Sequence, residues 1–168
     1  MDPRTGLGRF KDYRISNYQL MEEMIQHCRS KTAEEILEIP DVKERLERFQ
    51  SHKQPFIDML DRCTELHENV IVTNFLNEDT IYCGNRFMIF ALHPEQNIEI
   101  RLQWCKKMQY VSLSCGHSIV NRTSRTNVAK LMLKYGGGGH KQVGACQTTI
   151  DFWNEVLEEL IEQMVKDG

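Results

Sequence analysis

Apolar residues in the first part of the chain recur every three to four positions, which is the spacing of amphipathic helices. Residues 1–15 are polar and predict a loop, and residues 20–28 then place their apolar side chains on one helical face. Three residue pairs fit a capping box, in which a short polar side chain caps the helix and a Glu or Gln three positions later caps in return. These pairs are Ser16 with Gln19, Thr32 with Glu35, and Asp41 with Glu44.

A longer helical pattern follows over residues 42–66. Its apolar positions are spaced by three, four and seven, which predicts one helix, and Pro55 inside it should kink or split that helix. A helix with one apolar stripe between regions of different pattern is typical of a linker. An ordinary packing helix gives the same spacing, so both interpretations stay open.

From residue 69 the apolar period changes to two, which predicts strands. Residues 98–104 alternate most regularly and predict a half-exposed strand, while further helices are predicted over about 126–135 and from Asp151 onward. The remaining predicted strands are 70–72 with Phe75, 87–92, 110–114 and 145–150. The chain is therefore expected to have an α+β fold, in which N-terminal helices and a long linker helix precede a small mixed β-sheet domain with helices packed on it.

The composition predicts a folded chain without membrane segments. Of the 168 residues, 40% are hydrophobic and 27% charged, which supports a packed core and argues against disorder. No apolar run approaches the roughly 20 residues that span a bilayer, and the N-terminus lacks a signal-peptide pattern. The six cysteines form no CxxC pair, so we expect reduced thiols in a cytoplasmic protein and no membrane partner.

Charge is distributed unevenly along this mildly acidic chain. The net charge is -3, yet residues 101–150 contain eight Lys and Arg and no Asp or Glu. A basic window of this length suits a phosphate or a polyanion, although a solvated surface gives the same count.

The most informative segment is a run of four glycines, Gly136, Gly137, Gly138 and Gly139, followed by His140 and Lys141. A helix C-cap needs only one glycine, so a longer run predicts backbone amides that converge on a ligand. His140 and Lys141 would add side-chain donors and positive charge at the same place. A flexible linker or a tight packing corner is the structural alternative.

A second polar cluster lies over residues 116–127. It contains His117, Asn121, Arg122 and Arg125 and no acidic residue. Because arginine binds phosphate oxygens through a bidentate fork, we expect these four residues to contribute to the same phosphate site. A polar loop that caps the next helix is an equally good interpretation for any one of them.

The segment from Gly137 to Ala145, GGGHKQVGA, resembles the GGGHxxAAG signature of the DHH-associated domain. That domain forms the C-terminal half of DHH-family phosphoesterases, which include nano-RNases, cyclic dinucleotide phosphodiesterases, single-strand exonucleases and exopolyphosphatase-related proteins. Val143, Gly144 and Ala145 stand where the family has Ala-Ala-Gly. Residues 111–114 resemble a strand that ends in an arginine in nano-RNases, and Ser114 occupies that place here, which suggests that Arg122 or Arg125 makes the phosphate contact instead. Residues 116–127 are most similar to the exopolyphosphatase-related branch.

The resemblance implies a substrate-recognition domain of a metal-dependent phosphoesterase, which binds the terminal phosphate or nucleotide of a short phosphodiester. Its ligand would be an oligonucleotide, a dinucleotide or polyphosphate, and its partner a catalytic DHH domain. The implied boundaries are 1–40 for the end of the catalytic domain, 41–68 for the linker helix and 69–168 for the DHH-associated domain. A nucleotide-sensing module or a subunit-interaction module, for example in a homodimer, is the alternative without catalysis.

The resemblance also implies two divalent metal ions, usually manganese, in the catalytic domain. Their Asp-His-His ligands do not occur in this chain, and Asp2 alone resembles the last acidic ligand, so the isolated chain is expected to be inactive and to hold no cofactor. A zinc site made of Cys115, His117, His140 and Cys146 is disfavoured, because structural zinc ligands pair at short, regular spacings.

Overall fold

The computed structural model describes residues 5–105 and 108–168. Helices dominate its first part. After one 3₁₀ turn at Leu7–Arg9, four helices follow: α1 (Asn17–Ser30), α2 (Ala33–Leu37), α3 (Pro40–Ser51) and α4 (Lys53–Cys63).

Of the three predicted capping boxes, one is complete and one is half formed. Thr32 with Glu35 forms the complete box. The Ser16 hydroxyl accepts a hydrogen bond from the Gln19 amide as predicted, but the Gln19 side chain donates to Glu23 instead of returning to Ser16. The third prediction is wrong, because α3 begins at Pro40 after Ile39. Asp41 lies inside that helix, where its buried carboxylate accepts hydrogen bonds from the Arg14 guanidinium instead of capping the backbone.

The predicted break in the long helix is confirmed, whereas its predicted end is wrong. The helix is interrupted at His52, and Pro55 lies in the first turn of α4, where a missing N–H costs little. Residues Thr64–His67 form strand β1 instead of a last helical turn. They pair antiparallel with β2 (Val70–Asn74) across a tight turn at Glu68 and Asn69, so pairing in the sheet overrides the helical spacing.

The second part of the chain is built on one mixed sheet, which confirms the α+β fold class. Its strand order is β1-β2-β3-β4-β6-β5, with β2 and β3 parallel and the other neighbours antiparallel. The remaining strands are β3 (Ile98–Cys105), β4 (Tyr110–His117), β5 (Gly138–His140) and β6 (Val143–Thr149).

The predicted strand over residues 87–92 is wrong, because this segment contains the short helix α5 (Met88–Leu92). An apolar run of this length has no period that separates a strand from a buried helix. The topology decides: α5 lies in the crossover that joins the parallel strands β2 and β3, and such a connection cannot be a tight hairpin.

One face of the sheet carries the hydrophobic core of this region. Helices α6 (Val128–Leu133) and α7 (Trp153–Asp167) contribute their apolar side chains to it, and every second residue of the central strands points toward them. The fully or nearly fully buried members are Val70, Val72, Ile98, Ile100, Leu102, Val111, Leu113, Cys115, Val128, Leu131, Met132, Cys146, Leu157, Leu160 and Met164.

The opposite face of β3 is also buried, so its predicted half exposure is wrong. Glu99 is 3% exposed and Arg101 is 9% exposed. The Arg101 Nε and Nη2 atoms donate to Glu99 Oε1 at 2.9 and 2.8 Å, and the Thr73 hydroxyl donates to the same oxygen at 2.8 Å. The charged side chains that suggested solvent exposure instead form a buried ion pair.

The described chain divides into two compact units. One contains the residues up to Met59 together with Ile81–Arg86, and the other contains Leu60–Thr80 and Phe87–Gly168. The domain boundaries implied by the sequence resemblance, after residues 40 and 68, stay predictions. Across the described ranges, every helix is too short or too polar to cross a membrane.

Candidate functional site

The glycine run begins as the C-terminal end of α6. Gly136 has φ of 71°, the left-handed conformation that glycine adopts most easily. The Gly136 amide donates to the Leu133 carbonyl at 3.3 Å, and the Gly137 amide donates to the Met132 carbonyl at 3.0 Å. These two amides therefore close the helix. The expectation that they converge on a ligand is wrong, because the helix end uses them.

The rest of the run forms a hairpin. Gly138–His140 is the edge strand β5, paired antiparallel with β6 through a turn at Lys141 and Gln142. The Lys141 carbonyl accepts from the Val128 amide, and the Gln142 carbonyl accepts from the His117 amide, both at 2.9 Å. The turn is thus fixed to α6 and to β4, which positions His140 on a structured edge.

Close backbone packing explains two of the glycines. A Cβ atom at Gly137 would lie 2.2 Å from the Ala145 carbonyl oxygen, and one at Gly139 would lie 2.3 Å from the Val143 carbonyl oxygen. Gly138 has no neighbour within 4 Å of its ideal Cβ position and no positive φ. Neither space nor backbone angle therefore requires glycine at position 138, and the positive φ angles belong to Gly136 and Gly139.

The strand register defines one continuous surface around His140. His140 pairs with Val143, which pairs with Gly116, and in the next row Gly138 pairs with Ala145, which pairs with Ser114. Directly paired residues point to the same side of a sheet. We name this surface the hairpin face, and its members are Ser114, Gly116, Gly138, His140, Val143 and Ala145.

The hairpin face consists mostly of small side chains and carries few charged ones. His140 is exposed, and its imidazole makes no hydrogen bond to any residue of the described chain. Lys141 is exposed in the adjoining turn, while β4, β5 and β6 contain no Asp or Glu. The face therefore presents one imidazole beside a floor of small uncharged residues, with a lysine at its rim. On the β3 side this floor is bordered by the buried Glu99–Arg101 pair.

Of the polar cluster over residues 116–127, Gly116 lies on the hairpin face, whereas three of the predicted side chains hydrogen-bond to backbone carbonyls. The His117 Nε2 donates to the Thr126 carbonyl at 2.9 Å, and Asn121 Nδ2 donates to the Glu95 carbonyl at 2.7 Å. Arg122 Nε donates to the Ile119 carbonyl at 3.1 Å. His117 and Arg122 thus bond to carbonyls of the segment that follows β4, and Asn121 links that segment to the turn before β3. These contacts match the structural alternative, and a phosphate-binding role for the three residues stays a prediction.

Arg125 lies in a separate groove. This groove has a volume of about 330 Å³ and is lined by Arg125, Asn127, Lys130, Leu131, Lys134, Gln163 and Asp167. Because α6 packs on the core face of the sheet, the loop that leads into it carries Arg125 away from the hairpin face. Arg125 is therefore not placed together with His140, and the phosphate contacts predicted for Arg122 and Arg125 stay predictions.

The arginine nearest in the sheet to Ser114 is one that the sequence reasoning missed. Arg101 on β3 is the direct cross-strand partner of Ser114. Its burial and its register with Ser114 are long-range features, although its ionic partner Glu99 is only two residues away on the same strand. The alternation in β3 was visible in the sequence, but it indicated only a solvated face.

The cysteine and histidine residues considered for zinc do not converge. Cys115 and Cys146 are buried among core residues, where burial raises the pKa of the Cys146 thiol to about 11 and that of Cys115 well above its usual value. His140 points to the opposite side of the sheet. Within residues 5–105 and 108–168 no three His, Cys, Asp or Glu side chains are grouped to hold a metal ion, so these residues do not fit a manganese site. Asp2 lies outside the described residues.

Comparison with solved structures relates this fold to phosphoesterases. A pGpG-specific phosphodiesterase, PggH from Vibrio cholerae, superposes with a TM-score of 0.88 at 47% identity over 99% of this chain. The chain contains a DHH-associated domain of the DHH phosphoesterase family. The second similar structure, an exopolyphosphatase-related protein from Bacteroides fragilis, shares the fold of the DHH-associated domain with a TM-score of 0.51 at 15% identity over 88% of this chain.

The chain spans 57% of the length of PggH and 44% of the length of the Bacteroides protein. No family model and no curated protein matches the sequence. The assignment to the DHH-associated domain rests on the 47% identity to PggH across 99% of this chain, and the Bacteroides protein supports the fold alone.

Proposed function

We propose that the hairpin face of this DHH-associated domain binds the terminal phosphate or end nucleotide of a short phosphodiester. The observation that carries the proposal is the placement of His140, which is exposed, without a protein hydrogen-bond partner, and fixed on an edge strand beside a floor of small residues. An imidazole N–H in this position can donate to a phosphate oxygen. Lys141 adds positive charge at the rim.

The domain would act as the substrate-recognition part of a metal-dependent phosphoesterase. Metal-activated water would be supplied by a catalytic DHH domain, and this chain's residues would bind and orient the ligand. PggH is a phosphodiesterase specific for pGpG, and at 47% identity it makes a dinucleotide the best-supported ligand class for this chain. The Bacteroides protein supports the fold alone.

Replacing His140 by alanine should weaken binding of GMP by about 1–3 kcal/mol, because a hydrogen bond to a charged phosphate is lost. Thermal stability should be nearly unchanged, since the imidazole is exposed and makes no hydrogen bond within the described protein. Isothermal titration and thermal melting of the 168-residue chain measure the two quantities.

His27→Ala, a change on helix α1 far along the chain from the hairpin, is the matched control and should leave GMP affinity unaltered. If the His140→Ala variant unfolds while the molecules that stay folded bind GMP with normal affinity, His140 is a structural residue and the proposal is contradicted.

A further inference from the structure

Val143 is the one bulky apolar side chain of the hairpin face, and it is 44% exposed. It lies at the centre of the first row, directly between Gly116 on β4 and His140 on β5. The family signature has alanine at this position, so the larger side chain is a feature of this sequence.

Packing within the described protein covers Val143 only in part. Gly116 offers it no side chain, although an ideal Cβ at Gly116 would be in van der Waals contact with Val143 Cγ2 at 4.0 Å. The other neighbour is the exposed imidazole of His140. The β-branched shape of valine suits a strand. However, a residue stabilises a sheet mainly through contacts with the side chains directly across from it, and Val143 has few such contacts.

The number of charged side chains around Val143 indicates which class of ligand contacts it. A polyphosphate exposes no apolar surface and needs several cations along its length. The hairpin face supplies one imidazole and the lysine of the turn. Arg101, the β3 partner of Ser114, is buried and its charge is balanced by Glu99. Arg125, Lys130 and Lys134 line the groove beside α6 and α7. Beyond the phosphate at His140, the floor is therefore suited to a flat, largely uncharged group.

We infer that Val143 contacts the sugar and base of a nucleotide whose phosphate binds at His140, and that it determines selectivity for nucleotides over inorganic phosphates. This inference rests on the proposed function of the hairpin face. His140 would bind the phosphate, which nucleotides and inorganic phosphates share. Val143 would add binding free energy only where the ligand has an apolar surface to bury.

The test compares GMP with tripolyphosphate on the 168-residue chain and its variants. Val143→Ala should weaken GMP binding by about three- to tenfold, the effect of losing two methyl groups from an apolar contact. Tripolyphosphate affinity should change by less than about twofold, since the charged groups are retained. Val120→Ala is the matched control, because Val120 is 56% exposed in the loop after β4 and should leave both affinities unchanged.

Val143→Thr is the second variant, for use if the alanine variant folds poorly. It keeps the β-branched shape and should show the same selective loss of GMP binding. Unchanged GMP binding in both variants, or an equal loss for GMP and tripolyphosphate, would overturn the role of Val143. If His140→Ala still weakened binding in that case, the proposed function would stand. Absence of GMP and tripolyphosphate binding to the unmodified chain would remove the proposed function together with the role of Val143.

Discussion

Replacing Gly137 by alanine is expected to lower the free energy of unfolding by about 2–4 kcal/mol, because the added methyl group has no space. Its Cβ would lie 2.2 Å from the Ala145 carbonyl oxygen and 2.7 Å from the Cys146 Cα, and both atoms belong to the backbone of β6. Only a shift of the strand or of the helix end can relieve that contact. Urea denaturation of the two proteins measures the difference.

Gly138→Ala is the matched control, since it adds the same methyl group one residue later in open space. Its stability should lie within about 0.5 kcal/mol of the unmodified protein, or slightly above it, because alanine restricts the unfolded chain. Equal destabilisation by the two changes would show that general glycine flexibility, and not a close approach at Gly137, explains the run.

Removing one member of the buried Glu99–Arg101 pair is expected to have the largest effect on stability. Glu99→Leu or Arg101→Met should each cost about 3–5 kcal/mol, because a charge is left without its ionic partner in a buried position. The double variant should be far less destabilised than the sum of the two, since it buries two apolar side chains in place of two charges. Denaturation of all four proteins completes the double-mutant cycle. Additive losses would show that the two side chains do not stabilise each other.

Local features of the fold were predictable from the sequence. The caps at Ser16 and Thr32 depend on residues three positions apart, and the break near Pro55 follows from a missing N–H, so each is confirmed without knowledge of the tertiary structure. The strands β3 and β4 were recognisable from two-residue alternation. The α5 helix was not, because its five apolar residues have no diagnostic period.

Long-range features account for the errors. Whether Glu99 and Arg101 face solvent depends on what covers that side of the sheet, and no spacing within β3 reports it. The location of Arg125 likewise depends on which face α6 packs against. Four candidate residues that are close together in sequence, from His117 to Arg125, are therefore used in the loop or in another groove.

The candidate site itself was predictable in part. The GGGH segment identified His140, and this residue keeps its predicted phosphate-binding role as a proposal. Its neighbours Ser114, Gly116 and Val143 come from other strands, and only the register of β4, β5 and β6 places them beside it. Sequence motifs locate the hairpin, whereas the surface that a ligand would contact is a property of the sheet.

The most direct test of the central claim is an amide NMR titration of the 168-residue chain with GMP. We expect the chemical-shift changes to concentrate on residues 138–145 and 114–116 and to saturate together, with the His140 ring resonances moving in parallel. His140→Ala should reduce these shifts at equal GMP concentration. Shifts confined to the groove of Arg125, Lys130 and Lys134, with residues 138–145 unaffected, would contradict the account.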